Sequence, residues 1–224
     1  MRGIVRTLTL ESHGVSYRQR LIDLLRERSL FRGDFTLASG KKSTYYLDCK
    51  LTTLSPEGAV LTGNAILELL EDRGIQAAAI GGQPIGADPI VAATVAVSYL
   101  EYGDREDKQL QGILIREEPK KHGMQKRIEG VKNLKGTRVV IVDEVCTTGK
   151  STLKAIETAE SEGMIVVAVI SLVDREEGGS EILKKRYNYY AVCTAQELLS
   201  ESARSAGTSR RTPSTAGSET PFHR

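Results

Sequence analysis

The stretch Val139-Val140-Ile141-Val142-Asp143-Glu144-Val145-Cys146-Thr147-Thr148-Gly149-Lys150-Ser151-Thr152 decides how this chain reads. Its first four residues are β-branched and apolar without alternation, the pattern of a strand buried on both faces in a parallel sheet. Two acids end the run, and a Thr/Gly loop leads into a helix expected over 151–162. Backbone N–H groups and hydroxyls at a helix N-terminus suit an anion such as phosphate. Carboxylates one loop away accept hydrogen bonds from hydroxyls, as a ribose diol would donate. Together they point to a ribose 5-phosphate. A triphosphate P-loop is excluded. Gly149-Lys150-Ser151 matches its end, but Glu144 stands where its first glycine belongs and would repel a polyphosphate. An ordinary strand–loop–helix connection accounts for Gly149 and Ser151 but not for the paired acids.

Outward from this stretch, the apolar period switches repeatedly between helix and strand. Residues 17–28 place Leu21, Leu24 and Leu25 on one helical face. Residues 35–48 read as two short strands around a Ser-Gly turn. Ser55-Pro56-Glu57 opens a helix to about residue 72, with Ser as N-cap and Pro in the first turn, and Gly74 ends it. A strand over 77–80 is followed by the turn Gly81-Gly82-Gln83-Pro84-Ile85-Gly86 and a helix to about residue 99. Further strands are expected over 113–115, 139–142, 164–173 and 189–193, the last followed by a short helix. Strands alternating with helices predict an α/β fold, a doubly wound and mostly parallel sheet, with the early strand pair as a small N-terminal hood. The expected organisation is an N-terminal extension over 1–14, one domain over 15–199 with the hood in its 15–50 region, and a disordered tail over 200–224. The tail is rich in Ser, Thr, Gly and Arg and nearly without apolar residues.

Bulk properties narrow the partners. Hydrophobic residues form 40% of the 224 and charged residues 27%, an ordinary core-forming composition. A net charge of +2 argues against nucleic acid or an anionic membrane as partner. Cys49, Cys146 and Cys193 are odd in number and lack CxxC spacing. That argues against a disulfide framework and a zinc site and fits a reducing cytoplasm. Residues 1–14, interrupted by Arg6 and Glu11, read as neither signal peptide nor membrane span.

The 139–152 stretch resembles the signature of type I phosphoribosyltransferases, enzymes that use phosphoribosyl pyrophosphate (PRPP). The resemblance implies that Asp143 and Glu144 hold the ribose hydroxyls. It also implies that Val145, Cys146, Thr147, Thr148, Gly149, Lys150 and Ser151 form the loop that cradles the 5-phosphate, with Cys146 as a small filler. Three more segments resemble the orotate phosphoribosyltransferases within that class, and the likeness covers roughly residues 17–198. Phe35-Thr36-Leu37, Ser39-Gly40-Lys41-Lys42-Ser43 and Tyr45 are similar to the hood. Arg116-Glu117-Glu118-Pro119-Lys120-Lys121-His122-Gly123 is similar to the catalytic loop, running on to residue 129. Asp174-Arg175-Glu176-Glu177-Gly178 is similar to the base-binding loop.

The resemblance therefore implies Lys120, His122 and Asp143 as catalytic residues, and Arg116, Lys120, Lys121 and His122 as further PRPP contacts. Thr147 and Arg175 meet orotate, Arg175 through the carboxylate that sets this base apart. It further implies Mg²⁺ carried mainly by PRPP with no protein metal site, and a homodimer whose active sites are shared across the interface. Glu117 stands where many relatives carry Lys, so a pyrophosphate contact is either lost or moved to Lys120 or Lys121, and Ala38 replaces a hood Lys. A purine or uracil phosphoribosyltransferase shares the same PRPP loop. A PRPP-sensing regulator would need a nucleic-acid surface, for which neither the charge nor a helix-turn-helix speaks.

Overall fold

The computed structural model describes residues 15–36, 40–116 and 127–200. Helix α1 (Tyr17–Arg28) starts where the Ser16 side chain accepts the N–H of Gln19, and it buries Leu21, Ile22, Leu24 and Leu25. Strands β1 (Leu30–Thr36) and β2 (Lys42–Leu47) pair antiparallel as a separate two-stranded hood. The first of them begins five residues before the expected Phe35 because Leu30 already pairs with Leu47. A single turn, α2 (Lys50–Thr53), leads to α3 (Pro56–Asp72), which is capped by Ser55.

Strand β3 (Ala79–Gly82) precedes α4 (Ala87–Tyr102). Gly81 and Gly82 thus belong to the strand, which corrects the expected turn. A Cβ on Gly81 would run into Ile113 of the next strand, and one on Gly82 into the Val142 carbonyl. These glycines serve close strand packing, and the turn proper is only Gln83 to Gly86. Strand β4 (Gln111–Ile115) pairs with a short strand the sequence did not reveal, β5 (Ile128–Glu129).

The expected central strand is longer than 139–142: β6 (Arg138–Cys146) runs through both acids. It continues because β7 (Ile165–Asp174) stays in register with it as far as Cys146↔Asp174. Helix α5 (Lys150–Ser161) lies between them in the chain, and α6 (Gly179–Lys184), β8 (Tyr189–Thr194) and α7 (Ala195–Leu199) complete the fold.

The main sheet has the order β5-β4-β3-β6-β7-β8, parallel except for β5. Alternation along β6 explains the uninterrupted apolar run. Val139 and Ile141 pack with Ile113, Ile156 and Val169 on one face, whereas Val140 and Val142 pack with Leu61, Ile66 and Ile170 on the other. Both faces of the strand are covered by helices, so both sets of side chains are apolar. In parallel α/β sheets the loops leaving the carboxyl ends of the strands form the ligand crevice. Here those are the loops after β3, β6 and β7. No helix among the described residues is long and apolar enough to cross a membrane. The expectations for 1–14 and 201–224 lie outside the described residues.

Candidate active site

The chain leaves β6 through Thr147 and Thr148 into Gly149, whose φ of +72° turns it into α5 without the steric cost another residue would meet. Gly149 offers no side chain to cap the helix, and the same holds for Gly86 ahead of α4. Helices α1, α3 and α7, by contrast, are capped by Ser16, Ser55 and Thr194. The first-turn N–H groups of α4 and α5 are thus left for an anionic ligand, with the helix dipole behind them. The peptide between Pro84 and Ile85 in the loop before α4 is cis.

The two acids of β6 have different partners. Asp143 is turned towards α5: its Oδ2 accepts Ser151 Oγ at 3.0 Å and Thr152 Oγ1 at 2.6 Å, while Oδ1 accepts the Glu144 N–H at 2.8 Å. It braces the phosphate loop against the strand that feeds it. Burial raises its carboxyl pKa, and the bonds from Thr152 and Ser151 only partly oppose this. Glu144 faces the other way and pairs with Lys50, whose Nζ lies 3.1 Å from Oε1 and 3.2 Å from Oε2. Its carboxyl also stays above the usual range despite this pairing, because burial outweighs the Lys50 contact and because Asp48 and Asp143 are close. Gly86 packs against it so tightly that a Cβ there would sit 2.8 Å from Oε2. Cys146 is buried and its thiol is pushed up to about 11 by desolvation, which disfavours the thiolate there.

The loop after β7 is stitched to the phosphate loop. The Arg175 N–H donates to the Cys146 carbonyl at 2.9 Å, and the Gly179 N–H to the Thr147 carbonyl at 3.1 Å. Only glycine permits this approach at 179, since a Cβ would meet Gly149 N at 2.6 Å and Thr147 O at 2.7 Å. The Arg175 side chain is only 9% exposed. It is sandwiched between Glu177, 2.9 Å from one guanidinium nitrogen, and the ring of Tyr45 in the hood, 4.8 Å from Cζ. Its Nε is buried with no hydrogen-bond partner among the described residues. A buried donor of that kind is suited to an acceptor brought by a ligand. The other oxygen of Glu177 takes Lys41 of the hood at 2.9 Å. The hood is thereby tied to the base loop at two points.

Not every expected residue joins this cluster. Arg116 ends β4, separated from β6 by β3, and its Nε donates to Glu129 of β5 at 2.7 Å. It ties together the two chain segments that flank residues 117–126. Lys120, Lys121, His122 and Glu117 lie outside the described residues, as do Ala38 and Ser39. Lys50 was not singled out from the sequence, and Lys41 and Glu177 stood inside the hood and base-loop motifs without a role of their own. Opposite charges flanking buried Cys49, in Asp48-Cys49-Lys50, were the one local signal for Lys50.

For a divalent cation the donor set is a poor fit. Asp143 and Glu144 are engaged by Ser151, Thr152 and Lys50, and no group of three or more His, Cys, Asp or Glu among the described residues is placed to hold a metal.

Such a cradle on the central strand of a hooded parallel sheet defines a class, the phosphoribosyltransferases of type I fold, and residues 90–197 match the family model of the phosphoribosyl transferase domain. Within it, the chain belongs to the orotate phosphoribosyltransferase family. It is 45% identical over 170 residues to the orotate phosphoribosyltransferase of Rhodopirellula baltica, covering 74% of this chain and 85% of that one. It is 40% identical to that of Aquifex aeolicus, covering 81% and 97%. The fold superposes with a TM-score of 0.65 and 30% identity on the Mycobacterium tuberculosis orotate phosphoribosyltransferase crystallised with PRPP, over 81% of this chain and 98% of that one.

Proposed function

We propose that this chain carries out the reaction of its family: transfer of the 5-phosphoribosyl group from PRPP to N1 of orotate, giving orotidine 5′-monophosphate and pyrophosphate in pyrimidine biosynthesis. The observation that carries the reading is Arg175. A buried guanidinium on the loop bonded to the phosphate loop suits a base bearing a carboxylate, held beside a ribose anchored by its 5-phosphate.

In this reading the loop from Val145 to Ser151 and the N-terminus of α5 take the 5-phosphate. Glu144 accepts the ribose hydroxyls, and Asp143 holds the loop in shape beside it. Thr147 and Arg175 orient orotate. The bond from ribose C1 to pyrophosphate breaks with its electron pair leaving on pyrophosphate, and N1 supplies the new pair and loses its proton to solvent, either before the attack or as it completes. Mg²⁺, expected to arrive with PRPP and not on protein ligands, would supply counter-charge for the leaving pyrophosphate. Lys120, Lys121 and His122 supply cations at pyrophosphate, and His122 a proton donor, on the loop rooted at the Arg116–Glu129 clasp. Closure of that loop excludes water that would otherwise hydrolyse PRPP. The working unit is a homodimer in which each loop serves the partner's site, and unpaired Cys49, Cys146 and Cys193 suit a cytoplasmic setting.

The test is the fall in orotate absorbance on adding PRPP and Mg²⁺ to the purified protein. Turnover is expected with orotate and none with hypoxanthine, adenine or uracil. Inertness with orotate alongside turnover of another base would overturn the assignment.

A further inference from the structure

Glu144 is held by more than its own strand. Lys50 opens α2, directly below the hood, and its Nζ contacts both Glu144 oxygens as well as Asp48 Oδ1 at 3.0 Å. Its backbone is anchored on both sides. Cys49 is fully buried, and the Lys50 N–H donates to Asp48 Oδ1 at 3.3 Å. The Lys50 ammonium is held above its ordinary range: burial lowers it, but the hydrogen bonds to Asp48 and Glu144 outweigh that. On the opposite side Gly86 closes the space behind Oε2. The Glu144 carboxylate is thus gripped between Lys50 and the loop that starts α4.

We propose that Lys50 is a positioning residue for PRPP, binding Glu144 so that its remaining lone pairs point at the ribose hydroxyls. This rests on reading Glu144 as the ribose acid. A carboxylate has about four lone-pair directions, so it accepts two bonds from one ammonium and still has acceptors for a diol. Charge matters as well as aim. Among the described residues, the ionisable groups that act on Glu144 are Lys50, Asp48, the thiol of Cys49, which burial keeps neutral, and, from the other side of the strand, Asp143. Lys50 is the one cation of that set. Without it a partly buried carboxylate would keep its proton to higher pH, with Asp48 and Asp143 near and no cation to oppose them, and so would lose acceptors for the ribose over a wider acid range.

The test compares kcat/KM for PRPP from acid to neutral pH in the wild type, Lys50→Met, Lys50→Arg, Glu144→Gln and the Lys50→Met/Glu144→Gln double variant. Lys50→Met is expected to lower kcat/KM for PRPP roughly 10- to 100-fold, the scale on which supporting partners of a binding group act. It should leave the orotate KM unchanged and move the acid limb of the profile to higher pH, and Lys50→Arg should restore both. In Glu144→Gln that limb disappears, and adding Lys50→Met costs nothing further. Loss of kcat alone in Lys50→Met, with the limb unmoved, would mean a purely structural role and overturn the proposal. An unchanged PRPP KM in Glu144→Gln would instead overturn the ribose reading beneath it. Lys50→Gln, which keeps a hydrogen-bond donor without the charge, serves if the Met variant does not fold, and the same limb shift is expected of it.

Discussion

In the proposed reaction, Arg175 is the side chain on which base specificity rests. A buried guanidinium needs counter-charge and acceptors, and this one has Glu177 on one edge, Tyr45 over its face and an Nε with no partner among the described residues. A carboxylate entering there would form charge-assisted bonds worth about 2 kcal/mol, so Arg175→Ala should raise the orotate KM roughly thirtyfold. The PRPP KM should stay near its wild-type value, because Arg175 does not touch the phosphate loop through its side chain. Steady-state kinetics with each substrate varied in turn checks the split, and equal rises in both constants would remove Arg175 from the base site. The local sequence named Arg175 but not its surroundings. Tyr45 and Lys41 meet the base loop from 130 and 136 positions away, and no local pattern encodes that meeting.

At the level of elements, the strand–loop–helix from β6 to α5 was legible because everything that makes it is contiguous: the apolar run, the acids, the glycine and the helix. Two short elements, β5 and α6, were not. β5 is two residues long and exists through its pairing with β4, and α6 follows the left-handed turn at Gly178. Helix α7 is also short, yet it is held by a capping box in which Thr194 and Glu197 satisfy each other's backbone N–H groups. Glu197 further takes Arg18 at 2.6 Å. Burial raises its carboxyl pKa, but Arg18 and the Thr194 N–H outweigh that and hold it below its ordinary 4.5. A depressed folded-state pKa means that this stabilisation is complete above the unfolded value and fades as the pH falls through the folded one. Glu197→Gln should therefore cost roughly 0.5–1 kcal/mol at neutral pH, modest because the ion pair is partly exposed. Urea midpoints of the two proteins should converge in acid, and a gap that persists there would discount the charge.

For the whole molecule, the ends of the described domain lie against each other. Arg26 donates to the Glu197 and Leu198 carbonyls at 2.9 and 3.2 Å, and Arg32 to that of Leu199 at 2.8 Å. These arginines occupy the carbonyls at the end of α7, which the short helix cannot satisfy itself. They also join the last element to α1 and the hood. A chain ending at Ser200 is accordingly expected to keep its melting temperature and turnover, whereas one ending at Thr194 should melt several degrees lower, as each 1 kcal/mol shifts Tm by about 2–4 °C at this size. Thermal melts of both truncations decide it. A large loss in the chain ending at Ser200 would place stabilising contacts in residues 201–224.

By itself the sequence determined the class of fold, the central strand with its two acids, the glycine that begins α5 and the cysteines that stay unpaired. These depend on neighbours along the chain, where periodicity, turn chemistry and spacing act directly. Tertiary structure alone decided how the charges divide. Asp143 is spent on Ser151 and Thr152, Glu144 on Lys50 from 94 positions away, and Arg116 on Glu129. The partner of a buried charge is the one that the packing of strands and hood brings within about 3 Å, and two adjacent carboxylates on a strand point to opposite sides. Residue type states that a charge must find a partner, and the fold chooses which one.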